Sequence, residues 1–466
     1  MPEPALLPRS VWKDIVLKKM SFYTGVEQLD LEKNEEADLY KASGLFPDVA
    51  SVSREGWKLI EAYYLDNAPA DRLPHEPRPE IEVGLKHFRL ASPRFRRDPP
   101  LTTMVAIDPE ERMIYTADAN DQALNLLNSE GELVESVPVG NIPVWVKKSP
   151  RGLYLACVGH FFPKEERRGQ LILLEKSAAG FERKVLLSGL PRPCHLDFAD
   201  VNRDGNPDLV VSMFGYLTGR FSWFDGLEQS ELREHILFKR AGALASAAHD
   251  FDGDGLLDIA MLAGQETESL QIYYGDETGL GRRVKEVFRS PPSYGHTYFE
   301  LADLNGDGRP DLVVCNGDNG DYESPPKPYH GIRLYLNDGK GAFTLARFLP
   351  LHGAFRALAR DFDADGDLDL AAIGFYPDYE ENPRESFVYF ENTGDLRFKP
   401  FTFRECIAGR WLALDAGDVD GDGDLDIVLG SLIRMPSNVP DFVRNNWEKS
   451  GPSVVLLKNT LKEPSR

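Results

Sequence analysis

Five segments of the chain place aspartate at alternate positions and glycine at the sixth. They read DVNRDGNPD from Asp200, DFDGDGLLD from Asp250, DLNGDGRPD from Asp303, DFDADGDLD from Asp361 and DVDGDGDLD from Asp418. Oxygen-bearing side chains at positions 1, 3 and 5, a sharp turn at glycine and a backbone carbonyl at position 7 curl the chain around a hard cation. Calcium suits such a cage, because it accepts about six to eight oxygens at flexible geometry. The candidate side-chain ligands are Asp200, Asn202, Asp204 and Asp208; Asp250, Asp252, Asp254 and Asp258; Asp303, Asn305, Asp307 and Asp311; Asp361, Asp363, Asp365 and Asp369; and Asp418, Asp420, Asp422 and Asp426. The seventh positions, Asn206, Leu256, Arg309, Asp367 and Asp424, offer their carbonyls. An EF-hand would require a bidentate glutamate at position 12, where these copies carry Val211, Met261, Val314, Ala372 and Leu429. The shell is instead expected to close at the ninth-position aspartate. A single copy would read equally well as a plain Asp-Gly turn; five copies in register favour a cation.

The loops recur at intervals of 50, 53, 58 and 57 residues, and each is flanked by short apolar runs. Around the second copy, ALASAAHDF precedes the loop, and DIAMLAG, SLQIYYG and RRVKEVFRS follow it. Four short strands per repeat are the pattern of a propeller blade, whose two faces are buried only by neighbouring blades. Two further units lack the loop: TTMVAID, MIYTADA, ALNLLNS and LVESVPV, then PVWVKKS, LYLACVG, QLILLEK and RKVLLSG. The expected fold is therefore all-β, a seven-bladed propeller over residues 76–466, preceded by a helical segment at 1–75. The last repeat is one strand short, so HFRLASPRF (87–95) is expected to complete it and clasp the ring shut.

These loops and strands resemble the FG-GAP or VCBS repeat proteins, whose calcium-bearing blades also form the head of integrin alpha subunits. The resemblance implies calcium, about five ions, in loops between the first and second strands of their blades. It implies no single activity, since the fold hosts adhesion, lectin and catalytic proteins.

The first 70 residues lack the repeat and read as helices. Ser10 is placed to cap a helix with Trp12, Ile15, Val16 and Met20 on its apolar face; Ser53 is placed to cap another carrying Trp57, Ile60 and Tyr64. PALLPRSVWKDIVLKKM and SREGWKLIEAYYLDNAP resemble the distal part of a small cytochrome c-like domain, in which a methionine at the Met20 position is the axial haem ligand. The chain has no Cys-x-x-Cys-His, so haem c enters only if that motif lies upstream of Met1. On this chain Met20 reads as a core methionine.

The face opposite the loops carries long connections: 160–169, 316–331, 375–386 and 431–451. Long loops on a rigid scaffold are commonly functional. Trp145, His195, His296, Tyr298, Arg356, Arg410 and Trp411 are expected near the ring centre, and Asp318 and Asp321 in one of the long connections. Each is a candidate ligand contact, and each would serve equally as packing or as a turn. A glycan or protein ligand is the expectation.

Composition narrows the class. A formal charge of −22 from 53 basic and 75 acidic residues argues against nucleic acid. The five loops hold 20 of the aspartates, and five divalent ions would bring the charge to −12. No apolar run is long enough to span a bilayer, no export signal is visible, and the four cysteines form no disulfide framework. G-x-S-x-G, H-E-x-x-H and P-loop motifs are missing. The expected protein is a bacterial, extracytoplasmic binding or scaffold module, since calcium is plentiful outside the cytoplasm. A haem-linked redox protein and a carbohydrate-active enzyme such as a polysaccharide lyase are the alternatives.

Overall fold

The computed structural model describes residues 2–462 except 32–33, 71, 179, 228–230, 266, 321–323 and 436–438. Seven antiparallel sheets form the seven blades. Their strands fall within 102–138 (blade 1), 143–190 (blade 2), 193–238 (blade 3), 243–290 (blade 4), 296–350 (blade 5), 354–402 (blade 6) and 411–459 (blade 7). Blade 7 supplies only three strands from this range. Phe88–Ala91 completes it, pairing antiparallel with Val454–Asn459 in the register Phe88↔Asn459 and Leu90↔Leu457. The expected clasp is present. Glu82–Val83 also adds a short parallel strand outside blade 6, which the sequence did not announce.

Burial follows position within the blade. The second strands of blades 3 to 7 (Asp208–Met213, Asp258–Ala263, Asp311–Asn316, Asp369–Gly374 and Asp426–Ser431) are buried at every residue. Both of their faces meet a neighbouring blade, so their sequences are continuous apolar runs rather than alternations. The outermost strand of blade 1, Leu133–Pro138, is almost wholly exposed. Seams between blades are the cores: one unites Leu358, Ile373 and Phe387 of blade 6 with Trp411, Leu414 and Ile427 of blade 7.

The N-terminal segment has its own small core of Leu7, Val11, Trp12, Val16, Leu17, Trp57, Tyr64 and Ala68. Its first long helix runs from Arg9 to Tyr23, with a wider π turn at Trp12–Val16. Pro8 precedes it and Ser10 lies inside it, so Ser10 is not its cap; a proline at the boundary sets the start. Ser53 does cap Arg54–Asn67, its Oγ accepting the Gly56 amide at 3.0 Å.

This segment rests on the second-to-third-strand connections of four blades. The Glu166 amide donates to Glu36 at 2.8 Å, Tyr40 meets Tyr216, the Tyr329 hydroxyl donates to the Leu6 carbonyl at 2.8 Å, and Arg72 pairs with Glu381 at 3.0 Å. The helices therefore sit on the face opposite the aspartate loops.

Candidate calcium loops and central channel

All five loops join the first strand of a blade to its second. Their sixth-position glycines, Gly205, Gly255, Gly308, Gly366 and Gly423, have φ between 80° and 98°, a region that side chains other than glycine's rarely tolerate. The first aspartate ties each turn by accepting that glycine's amide: Asp200 at 3.0 Å, Asp250 and Asp303 at 2.8 Å, Asp361 at 3.2 Å and Asp418 at 3.1 Å.

The ninth aspartates are more constrained than their spacing suggests. Asp208, Asp258, Asp311 and Asp426 each accept the amide of the loop's second residue, at 2.9–3.1 Å. Their other oxygens, and that of Asp369, reach the end of the third strand, accepting Gly275, Asn337, Asn392 and Asn459 amides at 2.8 Å in blades 4 to 7. The ninth aspartate is thus a buried bolt that fixes the loop to the blade as well as a candidate ligand. Burial first, with the neighbouring loop carboxylates adding, pushes Asp208 and Asp258 up to about 6. Burial likewise pushes Asp369 and Asp426 up to about 7.

Three loops bring three carboxylates within 4.8 Å of one another: Asp250, Asp252 and Asp254; Asp361, Asp363 and Asp365; and Asp418, Asp420 and Asp426. The other two loops have asparagine at position 3, which contributes an amide oxygen instead. The donor set fits calcium, and one observation favours a cation. Oδ1 of Asp252, Asp420 and Asp424 is buried and accepts no hydrogen bond. A buried carboxylate oxygen without a donor is costly, and a divalent ion would satisfy it. Basic side chains already lean on some loops: Arg283 pairs with Asp252, Arg309 with Asp307, and Lys458 lies 3.5 Å from Asp420. Blade 1 lacks the loop, and an ammonium from the first strand of blade 2 takes that place instead. Lys148 Nζ lies 2.7 Å from Asp108 and 2.9 Å from Glu110, and Tyr115 donates to Asp108 at 2.7 Å. Burial pushes the Asp108 carboxyl up, but the Lys148 and Tyr115 hydrogen bonds outweigh it and hold it below the usual range.

The ring encloses a channel of about 1040 Å³. Each inner strand carries a register shift after its first residue, and its third residue lines the channel. The layer so formed is Met104, Trp145, His195, Ala245, Tyr298, Arg356 and Ala413. Trp145 packs against His195 with ring centres 4.3 Å apart and tilted by 47°, and burial lowers His195 to about 4, leaving it neutral. Arg356 of blade 6 crosses the channel to Trp145 of blade 2, 5.1 Å from that ring, and also lies 4.7 Å from the Tyr298 ring.

Four of the expected channel residues, Trp145, His195, Tyr298 and Arg356, thus share one layer, and the other three differ. His296, a first-position residue, is held at the rim by Glu268 at 2.8 Å, and burial lowers it to about 3. Trp411, also first, points into the seam core and donates to the Cys406 carbonyl at 2.6 Å. Arg410 is fully buried behind Phe375, 4.0 Å from its ring, donating to the Phe375 and Met435 carbonyls. Neither Trp411 nor Arg410 lines the channel: the Trp411 ring is taken up by the seam, and Arg410, which precedes the strand, is held behind Phe375. Asp318 reaches the channel lining, whereas Asp321 lies outside the described residues.

Met20 packs, partly buried, against the helical core. The chain's first cysteine is Cys157 and its first histidine His75, so the helical segment has no residues to attach a haem covalently. All four cysteines are free, with Cys157, Cys315 and Cys406 buried in the blades.

Fold and loops together define a seven-bladed β-propeller with FG-GAP-like repeats. The FG-GAP-like repeat family matches residues 250–314 and 361–429. Among curated proteins, the chain is 36% identical over 148 residues to phosphatidylinositol-glycan-specific phospholipase D of Mus musculus, covering 25% of this chain and 17% of that protein. It is 31% identical over 100 residues to integrin alpha-V of Gallus gallus, covering 19% and 10% respectively. The chain thus spans less than a fifth of the length of these relatives. The Neurospora crassa Pan2 WD40 domain superposes with a TM-score of 0.50 at 7% identity, over 81% of this chain and 97% of that one. That likeness is of fold alone.

Proposed function

We propose that this protein is a calcium-stabilised, extracytoplasmic binding module. Its five aspartate loops hold calcium on one face, and the channel of the opposite face, beside the helical segment that covers four of the connections, receives a protein ligand. The observation that carries the reading is the set of buried, donor-less carboxylate oxygens of Asp252, Asp420 and Asp424 inside loops already curled for a cation. Sites of this class fill where calcium is about millimolar, which supports a place outside the cytoplasm. No helix among the described residues is long and apolar enough to cross a membrane. The similarity to integrin alpha-V supports protein rather than glycan as the ligand class.

The domain division at residue 75 belongs to the same proposal: residues 1–75 form a unit that rests on the ring without completing a blade. The test is a binding screen of calcium-loaded protein against immobilised extracellular proteins and a glycan array, repeated in excess EDTA. Calcium-dependent retention on a protein is expected. Retention on glycans alone, or equal retention in EDTA, would overturn the reading.

A further inference from the structure

The proposed function leaves the channel without a ligand chemistry, and Arg356 supplies one. Its guanidinium lies 5.1 Å from the centre of the Trp145 ring and 4.7 Å from that of the Tyr298 ring. Asp415 and Glu300 lie close enough to act on its charge, but their hydrogen bonds go to other donors. Glu300 accepts the Ala359 amide at 2.5 Å and Arg360 at 3.1 Å, and Asp415 accepts the Ile107 amide at 2.7 Å. Two donors at this layer, Arg356 Nε and Trp145 Nε1, are buried and have no acceptor. Buried donors in native proteins are nearly always matched, so an unmatched pair beside a roomy cavity indicates a missing acceptor.

Around the channel, Phe355, Phe375, Leu412 and Leu432 line the wall, and among the described residues none of the lining comes from the N-terminal segment. An apolar wall with a cationic floor matches a ligand with an apolar body and an acidic head. An arginine fork takes a carboxylate through two parallel charge-assisted hydrogen bonds.

We propose that the channel binds an amphiphilic carboxylate, its head on Arg356 and Trp145 and its apolar body against the channel wall. This rests on the binding-module reading and assigns that module its ligand chemistry. The carboxylate has two possible sources, a free apolar acid or the C-terminal residue of a peptide.

The test is calorimetry on the calcium-loaded full chain with 4-phenylbutyrate, 4-phenylbutanol, N-acetyl-Gly-Phe and its C-terminal amide, and trigalacturonate. Saturable 1:1 binding of at least one apolar acid is expected, about tenfold or more tighter than its neutral counterpart. Tighter binding of 4-phenylbutyrate identifies a free acid, and tighter binding of N-acetyl-Gly-Phe identifies a peptide terminus. Arg356→Gln should weaken the acid about tenfold and leave the neutral probe unchanged. Trp145→Phe, which keeps an aromatic ring and removes the N–H, should weaken it about threefold. It also serves as the test if Arg356→Gln does not fold. Equal binding of acid and neutral probe, wild-type affinity in both variants, no binding of either apolar acid at millimolar concentration, or a preference for trigalacturonate would each overturn the proposal. Calcium-dependent melting of the same samples separates this failure from failure of the binding-module reading: a channel that binds no acid leaves the calcium shift intact.

Discussion

Chelation should lower the melting temperature by an amount that can be worked out. For a dissociation constant of about 0.1 mM at about 2 mM calcium, mass action stabilises each filled loop by about 1.8 kcal/mol. Five loops give about 9 kcal/mol. The unfolding entropy of about 2.1 cal/mol/K per residue, over the roughly 390 residues of the ring, is about 0.8 kcal/mol/K. Removing calcium should therefore lower the melting temperature by about 11 °C. Scanning calorimetry of the same preparation in calcium, in excess EDTA, and in magnesium at equal concentration measures this. Magnesium should restore little, because it demands tight octahedral geometry and sheds water reluctantly. The double variant Asp363→Asn, Asp365→Asn disables one loop in which no basic partner is engaged, and should remove about a fifth of the shift. A shift below about 2 °C in the wild type, or equal rescue by magnesium, would refute the reasoning.

Three further outcomes follow from named contacts. In chelated protein the ninth-position carboxyls of Asp208, Asp258, Asp369 and Asp426, at about 6 to 7, sit above the unfolded value of about 3.9. The folded state then binds more protons than the unfolded one across that window, so its stability falls as pH rises from about 4 to about 7. The melting temperature in EDTA should be higher at pH 5.5 than at 7.5, and calcium should reverse the trend because protons compete for its ligands. Phe88→Ala removes the clasp ring that packs at 5.7 Å on Tyr389 and 5.9 Å on Phe362, and should cost about 2 kcal/mol in a urea titration; a neutral result would mean the clasp does not hold the ring. Lys148→Met leaves the buried Asp108 without its ammonium and should cost about 1–2 kcal/mol, with Asp108→Asn added in the same chain recovering part of it. Additive losses would contradict the pairing.

The ring was legible because its constraints are local. A loop that curls around a cation needs aspartate, asparagine and glycine at fixed offsets, and Asp200 to Asp426 display them five times. The clasp was legible by arithmetic, since blade 7 lacks a strand unless Phe88–Ala91 supplies it. The channel was only half legible. Trp145, His195, Tyr298 and Arg356 are third residues of their inner strands, whereas Trp411 and His296 are first residues and lie on the other side of the register shift. Sequence shows no sign of that shift, so both sets look alike. Arg356 meeting Trp145 joins blades far apart in the chain, and the helical segment's seat on four connections depends on single contacts such as Tyr40 with Tyr216. Neither leaves a periodic signal. The expected Ser10 cap failed for a local reason, because Pro8 starts the helix one residue before Ser10.

The central claim is that five registered aspartate loops each hold a calcium ion. Protein stripped with chelator, then dialysed against buffered calcium at about 2 mM and assayed by atomic emission, tests it directly. The account predicts about five calcium ions per chain, and about four in the Asp363→Asn, Asp365→Asn variant. One ion or none, with the variant indistinguishable from wild type, would contradict it.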